Sequence, residues 1–411
     1  MDKSNLNKKA RRYIETLTGV EPNRRTGSEG NREASRFFAE TIDPYVDTVA
    51  HRSFETLDYS CEEVRLSHNG DEFDVQVSPY SPPCDTSAEL LAVSSVAELE
   101  KISCRGKLLL MEGEICSQQL MPKNFPFFNP EEHRKIISLL EEKEPAGMIT
   151  ATEKMPMQAG GLDPCPLIVD GDFNIPSVYC SRSTGQKIKQ AAGESFRMIV
   201  DSERREAIAA NVIARFNKQV AEKIVVTAHI DAYEDSTGAL DNASGVAVLL
   251  LLAEILDERG LDVPVEIAAL NGEDHYSVGG QLDYLERWGD QLNSTKLAVN
   301  IDYVGYRGSR IAYSFYECPE PLKVKIEAAF SDEEGLVAGE QWLAGDHMIF
   351  VQNGVPALAF TSDNLREFMA NIAHTEADTS EQVDVEVLVD LAEIIVDMFV
   401  KFGGGFENNV E

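Results

Sequence analysis

The chain has 411 residues, 43% of them apolar, enough to fill a sizeable core in two domains or in one domain carrying an insertion. Its 70 acidic residues outnumber 37 basic ones, for a formal net charge of -33. Nucleic acid and anionic membranes would repel such a chain, so neither is expected as a partner, and the excess acid reads as a solubilising surface.

The opening MDKSNLNKKARRYIETL lacks the apolar segment of a secretory leader. It predicts a helix over 5–17, with Ala10, Tyr13, Ile14 and Leu17 on one face. A turn-like RRTGSEGN follows at 24–31, and Ser28 is placed to cap a second helix reaching Phe38. From 52 to 200 short strand-like runs alternate with Pro, Gly and polar residues. Strands are predicted at 73–77, 107–111, 147–152 and 175–180, with helices at 131–142 and 184–192. His51, His68 and His133 are isolated here and read as surface or packing residues. The seven cysteines form no CxxC pair, so free thiols in a reducing cytoplasm are expected rather than a thiolate metal site. The longest apolar run, 246–253, is too short to span a bilayer.

From 208 onward strand and helix alternate. Strands are predicted at 209–216, 224–230, 263–270, 297–303, 310–315 and 356–361, and helices at 243–259, 277–288, 322–330, 346–352 and 385–402. This alternation implies an α/β sheet with helices on both faces. The 243–259 helix is apolar nearly all round and should be buried.

The polar residues of this part fall at strand ends. One strand ends in His229, Ile230, Asp231; another in Asn271, Gly272, Glu273, Asp274; a third carries Asp302. Open α/β sheets place their sites at the carboxyl ends of strands. The loop GALDNASG adds Asp241, and AHTEADT adds His374 and Asp378. The inferred metal ligands are His229, Asp241, Asp274, Asp302 and His374, a nitrogen and oxygen set without thiolate that suits zinc. Five ligands exceed what one catalytic zinc takes, so two zinc ions sharing a hydroxide are expected. Glu273 then serves as general base, while Asp231 holds the His229 ring and Asp378 the His374 ring. Each fragment alone has a plainer reading: H-x-D is common, DNASG is a helix cap, and adjacent acids are often a solvated turn. Their joint occurrence at successive strand ends favours metal.

AHIDA (228–232), GALDNASGVA (238–247), NGEDHYSVGG (271–280), NIDYVG (300–305), GDHMIFVQNGVPALAF (345–360) and HTEADT (374–379) together resemble the co-catalytic zinc aminopeptidase and carboxypeptidase family, metallopeptidase family twenty-eight. RRTGSEGNREASRFFAE (24–40) and ANVIARF (210–216) are also similar to family segments. The resemblance implies a zinc-exopeptidase fold over 1–50 and 205–411: a mixed, mostly parallel sheet flanked by helices. It implies Asp241 as the bridging carboxylate, His229 and Asp302 on one metal, Asp274 and His374 on the other, and Glu273 as base. The 55–200 stretch resembles a protease-associated domain, an inserted smaller β-rich domain whose implied role is shaping access or making a homo-oligomer contact. Ala373 stands where several family members have Tyr, leaving Tyr303 and Tyr306 as candidates to stabilise the tetrahedral intermediate. Asp346 is read as a pocket residue or a helix cap, and His275 as structural. The implied function is an exopeptidase acting on peptides, with an aminopeptidase favoured. A carboxypeptidase or a glutaminyl-cyclase-like enzyme on the same fold is the alternative, and a non-catalytic scaffold the contrasting class.

Overall fold

A computed structural model describes residues 2–217, 222–261, 263–331 and 333–402. The chain divides into two compact units: Met1–Thr56 with Ile208–Phe368 and Ile372–Glu411, and Leu57–Ala207 with Met369–Asn371. Strands Thr48–His68 and Ser195–Arg215 each contribute residues to both units.

In the first unit, four parallel strands lie side by side in the order Ala357–Ser362, Thr295–Ile301, Lys223–His229, Val265–Leu270. They are buried almost throughout, which is why they read as unbroken apolar runs rather than alternating ones. Antiparallel strands flank them: Ile311–Tyr316 on one side and Ser195–Arg215 on the other. Leu336–Ala338 adds a short parallel strand beyond Ile311–Tyr316. The expected architecture, a mixed and mostly parallel sheet flanked by helices, is the one observed.

Helix Ser244–Glu258 is buried from Ser244 to Leu256 and packs against strand Lys223–His229 and helices Lys3–Thr18 and Val385–Lys401. The stretch Ala239–Glu258 is long and apolar enough to cross a membrane by length and composition, yet its apolar part is buried inside the fold, and only Asp257 and Glu258 at its end are exposed. Ser28 caps helix Glu29–Ile42 by accepting from the Asn31 N–H, as its position predicts.

The second unit contributes further strands. Strands Cys84–Val93, Leu108–Met111, Gly147–Thr152 and Ser177–Ser181 run parallel, and Gln76–Val77 joins antiparallel. Successive residues of Leu108–Met111 point into two different apolar clusters: Leu109 and Met111 pack with Ile136, Leu140 and Met148, while Leu108 and Leu110 pack with Ile149 and Val178. Helix Glu131–Lys143 supplies part of the first cluster and helix Arg182–Lys189 part of the second.

Candidate metal centre

The four central strands share one direction, so their carboxyl ends meet at one edge. His229 is the last residue of its strand and pairs in register with Leu270. Beyond Leu270 the chain turns through Asn271 and Gly272, whose φ of 90° suits glycine, and delivers Glu273 and Asp274. Asp302 follows strand Thr295–Ile301, its N–H donating to Phe360 O at 3.0 Å. Asp241 sits in the loop before the buried helix, where Asn242 donates to Ile301 O and accepts from the Gly245 N–H.

Five of the predicted side chains converge. His229 Nε2 lies 3.1 Å from Asp241 Oδ1 and 3.5 Å from Asp302 Oδ1. His374 Nε2 lies 3.4 Å from Asp241 Oδ2 and 3.3 Å from Asp274 Oδ1. The two oxygens of Asp241 thus face two different histidine–aspartate pairs. His229, Asp241 and Asp274 also each present a donor atom within 4.8 Å of the others.

Buried polar atoms are almost always paired. Here His229 Nε2, both oxygens of Asp241, Asp274 Oδ2 and Asp302 Oδ1 are buried with no hydrogen-bond partner among the described residues. Charge makes the same point. Burial, partly offset by His229 and reinforced by Asp241 and Asp346, pushes Asp302 up to about 7. Burial and Asp241 raise Asp274, against the pull of His374. Burial also raises Glu273 well above the usual carboxylate range; His229 opposes this, and Asp274, Asp302 and Asp346 add to it. Burial works against charge on His229, but Asp302, Asp231 and Asp241 outweigh it and raise its pKa; Asp274 and Asp241 do the same for His374. So much buried carboxylate calls for cations. Imidazole nitrogen and carboxylate oxygen without thiolate fit zinc.

Asp231 is a hydrogen-bond hub. It accepts from the N–H groups of Gly272, Glu273 and Asp274 and from Thr26 Oγ1, and its Oδ1 lies 3.6 Å from His229 Nδ1. One carboxylate therefore shapes the loop that carries Glu273 and Asp274 and lies beside the His229 ring, whose Nδ1 makes no hydrogen bond. Asp378 departs from expectation. Its oxygens accept from the Leu240 and Asp241 N–H groups, at 2.8 and 3.0 Å, and so position Asp241 rather than the His374 ring. Asp346 precedes helix His347–Val351 but makes no capping bond; its Oδ1 accepts from Gln281 Nε2, and burial raises its pKa to about 6. Of the two tyrosines, Tyr303 lies in the field of Asp241, Asp302, Glu273 and Asp274, whereas Tyr306 feels Glu367. His275 bonds Ser277 and Thr56.

The largest omission of sequence reasoning is Arg24. It is 2% exposed and donates to the carbonyls of Leu17, Ile230, Thr237 and Gly238. A guanidinium inside a Gly- and Ser-rich turn looks exposed; only the likeness of 24–40 to a family segment hinted otherwise. The buried amides of Asn31 and Asn271, which bond each other, were equally hidden.

Residues 211–399 match the model of peptidase family M28. All five converging side chains lie within the M28 span, while Arg24 and Thr26 buttress it from outside. Among curated proteins, the chain is 22% identical over 241 residues to aminopeptidase YwaD of Bacillus subtilis, covering 56% of this chain and 52% of that protein. It is 24% identical over 323 residues to leucine aminopeptidase 2 of Trichophyton equinum, covering 73% and 60%. The chain thus spans only about half to three fifths of these relatives' own length. Among solved structures, the aminopeptidase from Aneurinibacillus sp. strain AM-1 superposes with a TM-score of 0.74 at 23% identity, over 96% of this chain and 93% of that one. BSAP, a zinc aminopeptidase from Bacillus subtilis, gives 0.74 at 20% identity, over 96% and 94%. These likenesses show a shared fold.

Proposed function

We propose that this chain is a zinc-dependent aminopeptidase whose site takes two zinc ions. The observation that carries the reading is the division of Asp241, with Oδ1 toward His229 and Asp302 and Oδ2 toward His374 and Asp274. On this reading His229 and Asp302 hold one ion, His374 and Asp274 the other, and Asp241 spans both. Bound zinc supplies Lewis acidity toward a peptide carbonyl and makes water a better nucleophile near neutral pH. Glu273, its N–H anchored on Asp231, accepts the proton of the attacking water at its carboxylate and delivers it to the departing amine nitrogen. Asp231 and Asp378 keep His229 and Asp241 in place while this happens.

The substrate proposed is a peptide with a free amino end. Two things support this choice over a free carboxylate: an acid-rich site that suits an ammonium group, and the aminopeptidase names of the relatives. Aminoacyl and N-blocked peptides assayed with added zinc test it; cleavage of blocked peptides alone overturns the aminopeptidase reading. Glu273→Gln should keep its zinc and lose turnover by about 10²–10⁴-fold. Loss of metal, or full activity, in that variant contradicts the base assignment.

A further inference from the structure

The two histidines of the site are held in different ways. A metal-binding imidazole usually turns its second nitrogen to a carboxylate or carbonyl, which fixes the ring plane and the tautomer. His229 Nδ1 makes no hydrogen bond either, but it has the Asp231 carboxylate beside it, Oδ1 at 3.6 Å. His374 has no counterpart: its Nδ1 is buried without a hydrogen-bond partner among the described residues, and Asp378 is committed to the Leu240 and Asp241 N–H groups. His374 moreover sits at a φ of 65°, in the left-handed region, so its backbone does not favour the conformation by itself.

What does lie against His374 is the ring of Tyr233. The two centroids are 4.5 Å apart and the planes differ by 10°. Tyr233 is itself on a firm footing. Its neighbour Glu234 pairs with Arg25 at 2.7 Å, its carbonyl accepts from the Ser236 N–H, and Arg24 bonds the carbonyls of Ile230 and Thr237 on either side. The segment leaving strand Lys223–His229 thus supplies both supports, Asp231 for one histidine and Tyr233 for the other.

We propose that Tyr233 is the positioning residue of His374, its aromatic face doing for this ring what Asp231 does for His229. Parallel stacking removes the ring's freedom to tilt. The choice between the two in-plane orientations is then made by Asp241 Oδ2 and Asp274 Oδ1, to which Nε2 points at 3.4 and 3.3 Å. The inference rests on the two-ion reading above, because the ion it concerns is the one assigned to His374 and Asp274.

The test is stepwise zinc binding to the metal-free full chain, read against a chromophoric chelator, in wild type, Tyr233→Phe and Tyr233→Leu. Wild type should take two ions, and Tyr233→Phe, which keeps the face and loses the hydroxyl, should match it. Tyr233→Leu should weaken one step by about 10–100-fold, the range seen when an outer partner of a metal ligand is removed, and leave the other unchanged. Wild-type affinity for both ions in Tyr233→Leu, or equal weakening of both steps, overturns the proposal. Should the leucine variant not fold, the zinc-loaded wild type decides: ring protons of His374 shifted upfield by the tyrosine face support the stacking, and unshifted ones overturn it. A wild type that takes no zinc or a single ion sinks the two-ion reading itself, an outcome distinct from a leucine variant that behaves like a two-ion wild type.

Discussion

Arg24 carries a charge into a place with almost no water and spends every strong contact on backbone carbonyls. Burial lowers its pKa to about 10, with Asp378, Asp231, Asp241 and Asp274 opposing the drop, so it stays cationic at neutral pH. Arg24→Met keeps length and removes the donors, stranding the carbonyls of Leu17, Ile230, Thr237 and Gly238. The expected loss is about 3 kcal/mol of folding stability, measured by urea unfolding; a loss under about 1 kcal/mol would mean that those carbonyls find other partners. His347 makes a pH-dependent case. Burial drops its pKa to about 4, and as a neutral ring it bonds Trp342 O through Nε2 and Asn300 Nδ2 through Nδ1. Between about 6.5 and about 4 the unfolded chain binds a proton there that the folded chain does not, so stability falls as pH drops through that window. The full effect is about 3 kcal/mol, and metal-free His347→Gln should show a shallower decline than metal-free wild type over the same range.

Among the elements, the start of helix Ser244–Glu258 is the tightest joint. A Cβ on Gly245 would lie 2.4 Å from Asn242 Oδ1, 2.5 Å from Ile301 O and 3.0 Å from Ala228 Cβ. Those three residues adjoin Asp241, Asp302 and His229, so the glycine lets the helix enter where three ligand-bearing segments meet. Gly245→Ala should cost about 1–3 kcal/mol from overpacking. It should also lower zinc content per chain, because relieving the clash moves the segments that carry the donors. Normal zinc stoichiometry together with normal thermal stability would show that the joint has slack. The strand Ser195–Arg215 teaches a different lesson: its early residues alternate exposed and buried and include a polar SERREA run, so only the apolar end at 209–216 reads as a strand from sequence.

At the scale of the molecule, a few of the 70 acidic residues sit where water is scarce. Without cations, Asp241, Asp274, Asp302 and Glu273 crowd one buried edge of the sheet; with them, binding to the folded chain alone adds stability. A cation at a hundred times its dissociation constant contributes about 2.7 kcal/mol, so chelation should lower the unfolding temperature and abolish peptide hydrolysis together. Stoichiometric zinc should restore both, and monovalent salt neither. An unfolding temperature indifferent to chelator would argue that the carboxylates are neutral and that the cluster is not a metal site.

Much of this protein is written locally. Buried parallel strands need unbroken apolar runs, helices need apolar stripes and caps, and site residues of such sheets follow strand ends; each rule acts over a few neighbours. Hence the α/β class, most central strands, and the gathering of His229, Asp241, Asp274, Asp302 and His374 could be inferred in advance. What tertiary structure alone decided is which long-range partner each polar group takes. Asp378 pairs with the amides of 240 and 241 instead of a histidine four residues away, Arg24 crosses more than two hundred positions to reach Ile230 and Gly238, and Tyr233 lies on His374. Hydrogen bonds and ring stacking depend on distances of a few ångströms between segments that only the folded chain brings together, and no periodicity encodes them.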